Sequence, residues 1–308
     1  MAAITFRHTN FKRASLDRIE QMQKIVAQYA KQNLRLTARQ LYYQFVARDL
    51  IPNTPTSYKN LTGLLADARY AGMIDWDAIE DRGREPTVWR DYENVRDFVD
   101  SSIRGYRLPR WADQDTYVEL WVEKQALAGV LEPLAAEYHA TLMVNKGYSS
   151  ASAMFESAQR FIGRSNQAES DSYDGSQPEK STVLFYLGDH DPSGEDMVRD
   201  IRDRLKEFGV ERLDVQKLAL TMDQIRQYNP PPNPAKTSDS RYEAYAREHG
   251  ASSWEVDALP PDVLQQIIRT AFNDIVDRRR WDAVLRRERN DKERLRKAAE
   301  SLVNEGGQ

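Results

Sequence analysis

The sequence predicts an α/β fold in which a small helical unit precedes a parallel-sheet domain and a mainly helical part follows it. Three observations predict it. From Thr116 to Ala219, short apolar runs alternate with amphipathic helical patterns, the rhythm of βαβ units on a parallel sheet. Ahead of them, three helical patterns are separated by turn residues; behind them, Pro230, Pro231, Pro232 and Pro234 mark a loop that leads into two more helices. A chain of 308 residues, 40% of them hydrophobic, is also long enough for two domains with cores of their own.

The elements follow in order. Residues 1–34 are an N-terminal helical segment, because Leu16, Ile19, Met22, Ile25, Val26 and Tyr29 recur at helical spacing with Ser15 or Asp17 available as caps. Thr37 followed three residues later by Gln40 is a capping box, and it starts a helix over 38–48. Beyond Pro52 and Pro55, residues 58–71 read as a helix closed by Gly72, and Met73 to Trp76 start a short hairpin ending near Arg84. Helix, turn, helix and hairpin is the order of a winged helix, a common DNA-binding module, placed here at residues 35–90. Residues 91–115 read as a linker. Within 116–225, strands at 116–123, 140–145, 182–188 and 213–219 alternate with helices at 125–138, 150–163 and 194–208. The polar stretch from Arg164 to Ser181 reads as a surface insertion. Residues 226–308 form a mainly helical extension, with helices over 261–276 and 278–302.

Charge narrows the function. The net charge of −4 taken whole argues against a nucleic-acid binder, but residues 1–70 carry a balance of +7 and the remainder −11, so the basic footprint lies at the N-terminal end. The run from Arg278 to Lys297 carries +6 and reads as a solvated helix face. The absence of cysteine excludes disulfides and zinc-thiolate sites, and no apolar run reaches the ~18 residues of a membrane span. With no signal pattern at the N-terminus, the expectation is a soluble, cytoplasmic protein without a membrane partner.

The chemistry-bearing stretch is Gly188-Asp189-His190-Asp191-Pro192-Ser193-Gly194, which stands where a strand hands over to a helix. Residues i and i+2 of a strand point the same way, so Asp189 and Asp191 can hold one hard cation between them, with His190 turned the other way in a structural role. A second carboxylate, Glu123, ends the earlier strand-like run Tyr117 to Val122. On the helix over 38–48, Ala38, Leu41, Tyr42, Phe45 and Val46 share an apolar face, and Tyr43 lies about 130° from its centre. Tyr42 is therefore expected to be buried and Tyr43 available, with Arg39 its neighbour one turn earlier. Trp76 and Trp254 are expected to pack in cores.

Val122-Glu123-Lys124, Asn145-Lys146-Gly147-Tyr148 and the Asp-x-Asp stretch come in the order of a TOPRIM domain. With Arg39-Gln40-Leu41-Tyr42-Tyr43 in a winged helix ahead of it, the chain resembles the topoisomerase VI A subunit and its relative Spo11 over roughly residues 35 to 220. The resemblance implies cleavage of double-stranded DNA by Tyr43, assisted by Arg39 and Glu123. It implies Mg2+, with Mn2+ as substitute, held by Glu123, Asp189 and Asp191, and DNA contacts from Arg39, Lys59, Lys124 and Lys146. It also implies a homodimer in which one subunit's tyrosine works with the other's metal site. Ser193 and His190 depart from the family pattern, and the segment before the winged helix, through which A subunits engage an ATPase B-type partner, is short. A divergent stand-alone member is the expectation. Two alternatives stand beside it: a TOPRIM nuclease that uses metal-activated water, as the nuclease of the Wadjet plasmid-defence system resembles, and a non-catalytic DNA-binding protein.

Overall fold

The computed structural model describes residues 5–80, 90–145, 147–165 and 180–305. Its N-terminal unit is three helices. Helix α1, Arg13–Ala30, buries Ile19, Met22, Ile25 and Tyr29, and it begins after Lys12 without a side-chain cap, ahead of the Ser15 and Asp17 expected to cap it. Strand β1, Leu36–Thr37, leads into α2, Ala38–Val46, through the anticipated capping box: Gln40 N donates to Thr37 Oγ1 at 3.2 Å and Thr37 N donates to Gln40 Oε1 at 2.9 Å. Helix α3, Pro55–Tyr70, starts earlier than its apolar spacing suggests, because Thr54 caps it and Pro55 suits the first helical position. Strand β2, Ile79–Glu80, pairs in parallel with β1, Leu36 opposite Ile79. It does not pair with Met73 to Trp76 as a hairpin would, and the rest of the expected hairpin, residues 81–89, lies outside the described residues.

The stretch expected to be a linker contains α4, Val95–Gly105, capped by Asn94. The alternation that follows is as expected. Strands β3 (Thr116–Val122), β4 (Thr141–Val144), β5 (Ser181–Leu187) and β6 (Leu213–Ala219) form one parallel sheet in the order β4-β3-β5-β6. Between them run α5 (Ala128–Glu137), α6 (Ala151–Ser165) and α7 (Pro192–Glu207). The central strands β3 and β5 are buried almost throughout, which is why they read as unbroken apolar runs. Most of the expected insertion, 166–179, lies outside the described residues.

The C-terminal part comprises α8 (Met222–Tyr228), β7 (Asn233–Pro234), α9 (Tyr242–His249), β8 (Ser252–Ser253), antiparallel to β7, then α10 (Pro261–Ile275) and α11 (Arg278–Glu305). Helix α10 belongs to the sheet's own core: Leu264, Ile268 and Phe272 are fully buried there, with Phe272 stacked on Tyr138 at 4.3 Å and edge-on to Phe185 at 5.2 Å. On the opposite face Phe161 of α6 meets Tyr117 of β3. The sheet is thus covered on both sides, and one of its covers comes from beyond residue 226. No helix among the described residues is long and apolar enough to cross a membrane.

Candidate active site

Parallel pairing of β3 with β5 places Val122 beside Leu187, so the residues that follow them meet at the sheet's C-terminal edge. Glu123 N donates to Leu187 O at 2.8 Å, and Asp189 N donates to Glu123 Oε2 at 3.1 Å. Asp189 Oδ1 accepts from Val256 N at 2.8 Å and pairs with Lys124 Nζ at 3.1 Å. Burial drives the Asp189 pKa up to about 7; Lys124 opposes that rise and Glu123 adds to it. A glycine is required at 194, since a Cβ there would stand 2.2 Å from the Asp189 carbonyl oxygen.

Asp191 departs from expectation. Its side chain is the N-cap of α7, with Oδ1 accepting from Gly194 N at 2.6 Å and Ser193 Oγ at 2.8 Å. Glu123 is joined to Asp189 through the Asp189 backbone N–H, and Asp191 is held by the Asp-Pro helix start that follows it.

Lys124, expected to face a phosphate, is enclosed by carboxylates. Its Nζ lies 2.7 Å from Glu255 Oε2, 2.8 Å from Asp257 Oδ1 and 3.1 Å from Asp189 Oδ1. Burial alone would lower the ammonium pKa, and the carboxylates outweigh it and hold it above the ordinary lysine value. Glu255 accepts as well from Arg39 Nη2 at 2.5 Å, and Arg39 Nε stands 3.4 Å from Asp257 Oδ2. Sequence reasoning missed Glu255 and Asp257. Their signal was a second carboxylate pair at i and i+2, Glu255-Val256-Asp257, with the spacing of Asp189 and Asp191.

The same segment corrects the expectation for Tyr43. Tyr42 and Tyr43 are both buried, at 4% and 3% exposure. The turn Val256–Ala258 packs against α2, and Ala258 joins the core of the N-terminal helices, covering the side of α2 that local spacing leaves open. Arg39 lies over the Tyr43 ring at 5.9 Å. Burial pushes the Tyr43 hydroxyl pKa well up, Asp257 and Glu255 push it further, and Arg39 opposes them. Tyr43 still lines a groove of about 520 Å³ with Arg39, Tyr42, Tyr58, Pro234 and Glu255. Tyr42 donates to Asn53 Oδ1 at 2.8 Å.

Of the remaining expected DNA contacts, Lys59 is exposed on α3 and Lys146 lies outside the described residues. His190 is buried in a structural setting, its backbone paired with Trp254 and its Nδ1 2.8 Å from Tyr245 Oη. Burial lowers its pKa to about 4.

The donor set suits a hard dication: carboxylate oxygens alone, including an Asp257 Oδ2 that is buried without a hydrogen-bond partner. Glu123 and Asp189 are the residues that would hold it, with Lys124 as the competing cation beside them. The chain matches no protein-family model and no curated protein.

Proposed function

We propose that this chain cleaves double-stranded DNA in a Mg2+-dependent reaction of the topoisomerase VI A type, acting as a homodimer. The observation that carries the reading is one continuous network. Arg39, beside Tyr43, shares Glu255 with Lys124, and Lys124 pairs with Asp189 at the sheet edge. A phenol beside a guanidinium and a carboxylate pair at the edge of a parallel sheet are the two halves of a strand-cleaving site. Mg2+ held by Glu123 and Asp189 would neutralise charge on the phosphate.

The chain's own residues supply the rest. A DNA phosphate entering the groove competes with Glu255 for Arg39 and Lys124, exchanging one anion for another around two fixed cations. Arg39, over the Tyr43 ring at 5.9 Å, then favours its phenolate, and the phenol proton leaves to solvent. The Tyr43 oxygen bonds to phosphorus as the phosphorus–deoxyribose oxygen bond breaks, and the departing oxygen leaves as an alcohol after taking a proton from solvent.

One observation favours the second reading, hydrolysis by metal-activated water: Tyr43 is 3% exposed and its hydroxyl is held protonated by burial. Supercoiled DNA incubated with Mg2+ or Mn2+, stopped with detergent and run with and without proteinase separates the two. Breaks that enter the gel only after proteinase and vanish in Tyr43→Phe support tyrosine attack. Breaks indifferent to both support the nuclease, and DNA binding without breaks would overturn catalysis altogether.

A further inference from the structure

The loop between β5 and α7 contributes to a second cluster of ligand-type side chains, independent of the carboxylates above. His190, Glu195 and His249 each present one ligand atom, and the three atoms lie within 4.8 Å of one another. We propose that His190 Nε2, Glu195 and His249 bind a transition-metal dication, for which Zn2+ is the best match to two imidazoles and a carboxylate.

The tautomer of His190 points there. Tyr245 Oη has three neighbours at hydrogen-bond distance: His190 Nδ1 at 2.8 Å, His190 O at 3.0 Å and Ser252 O at 3.0 Å. Both carbonyls only accept, and the hydroxyl has one proton to give them, so Nδ1 is the donor to Oη. A neutral imidazole that donates from Nδ1 carries its lone pair on Nε2. That atom faces Glu195 Oε1 at 3.5 Å, on a side chain only 2% exposed. Two lone pairs confront each other with no N–H or O–H of the described residues donating to Nε2. A cation between them resolves the confrontation. Nδ1–H held by an oxygen is also how proteins orient a metal-bound histidine.

The remaining geometry completes the site. His249 ends α9 and its ring meets that of His190 edge-on at 4.8 Å. Glu195, in the first turn of α7, is 37% exposed and can turn toward an ion. Lys217 is the competitor: its Nζ bonds Glu195 Oε1 at 2.6 Å and the Asp189 carbonyl at 2.9 Å. An ion here ties α9 to the loop that carries Asp189 and Asp191, so its binding energy becomes stability of that loop.

The test uses tag-free full-length chain stripped with chelator and titrated with Co2+ followed by visible absorption, then displaced with Zn2+. The proposal requires one Co2+ per chain with d–d bands, at least tenfold weaker binding in His249→Gln and in Glu195→Gln, and retention in Glu123→Gln. Tighter binding in Lys217→Met supports it further. Zn2+ should raise the Tm of the unaltered chain and leave that of Glu195→Gln unchanged, a readout that stands even where His249→Gln folds poorly. Absence of stoichiometric d–d bands, binding equal in both variants, or loss in Glu123→Gln alone would overturn it. None of these outcomes depends on whether the chain cleaves DNA.

Discussion

The parallel sheet has a buried carboxylate within strand β3 and a cluster of carboxylates at its C-terminal edge, and the two sites differ in how far their charges are satisfied. Glu119, at the centre of β3, is fully buried, and its oxygens accept from Tyr117 Oη at 2.9 Å, Trp121 Nε1 at 2.8 Å and Arg160 Nε and Nη2 at 3.1 Å each. Its donors match its acceptors. At the sheet edge, Asp189, Glu255 and Asp257 share two cations, Lys124 and Arg39, and Asp257 Oδ2 is left without a hydrogen bond. Burial of charge is common to both sites, so burial does not mark function. Surplus negative charge at a sheet edge does, because it costs stability that nothing in the fold requires.

The largest effects should separate these sites by kind. Under the proposed reaction, Asp189→Ala should lower DNA cleavage on the order of 100-fold or more, measured as nicking of supercoiled DNA with Mg2+, while the chain still unfolds cooperatively. Glu119→Ala should do the reverse: it leaves Trp121 Nε1 unpaired in the core and takes the carboxylate from Tyr117 and from the half-exposed Arg160, and it should cost about 2–3 kcal/mol in urea unfolding. A Glu119→Ala variant as stable as the parent would mean that Trp121 Nε1 finds another partner and that the contrast is empty. Phe272→Ala should cost about 3–4 kcal/mol, if α10 is as much a part of the sheet's core as its stacking on Tyr138 indicates.

How much of this was legible in the chain depends on how far apart the interacting residues lie. The capping box of Thr37 and Gln40 and the strand and helix alternation from Thr116 to Ala219 are set by neighbours a few residues away, and the elements fall where their patterns place them. The environment of Tyr43 is set by Glu255 and Asp257, more than two hundred residues on, and a helical wheel has no term for a segment that packs on it from elsewhere. Asp191 was legible in both ways. Asp-Pro-Ser-Gly is a helix start as much as a metal motif, and the N-cap hydrogen bonds show which use Oδ1 is put to. The amphipathic spacing of α10 foretold a helix but carried no information about which face of the sheet it would cover.

The surplus charge at the sheet edge also predicts a pH dependence. In the folded chain burial pushes the Asp189 carboxyl up to about 7, against an ordinary value of 3.8. Between these values the folded state holds a proton that the unfolded chain has released, so this group's contribution to stability falls as pH rises from about 4 to about 7 and is flat above. Asp189→Asn removes the titration and keeps an acceptor for Val256 N. Relative to the parent, it should gain on the order of 4 kcal/mol between pH 4 and pH 8 in paired urea titrations. A constant difference across that range would mean that Lys124 satisfies Asp189 as fully as Arg160 satisfies Glu119.

Lys59 gives the smallest effect and tests the other side of the comparison, a cation with no internal anion to satisfy. It stands exposed on α3, one residue from the groove-lining Tyr58, and forms no ion pair among the described residues. Lys124 and Arg39 are already committed to carboxylates, so a phosphate must displace those anions to reach them. Lys59 needs no such exchange. If α3 meets DNA, Lys59→Gln should reduce the slope of log K against log salt by about 0.9, the counterion release of one phosphate contact, and weaken binding only a few-fold near physiological salt. The same substitution should leave the salt dependence of any Mg2+-linked cleavage rate at saturating DNA unchanged, because a contact that only positions the duplex acts before the chemical step. An unchanged binding slope would remove α3 from the DNA-facing surface and leave the groove beside Tyr43 to account for binding through cations that first have to part from Glu255 and Asp257.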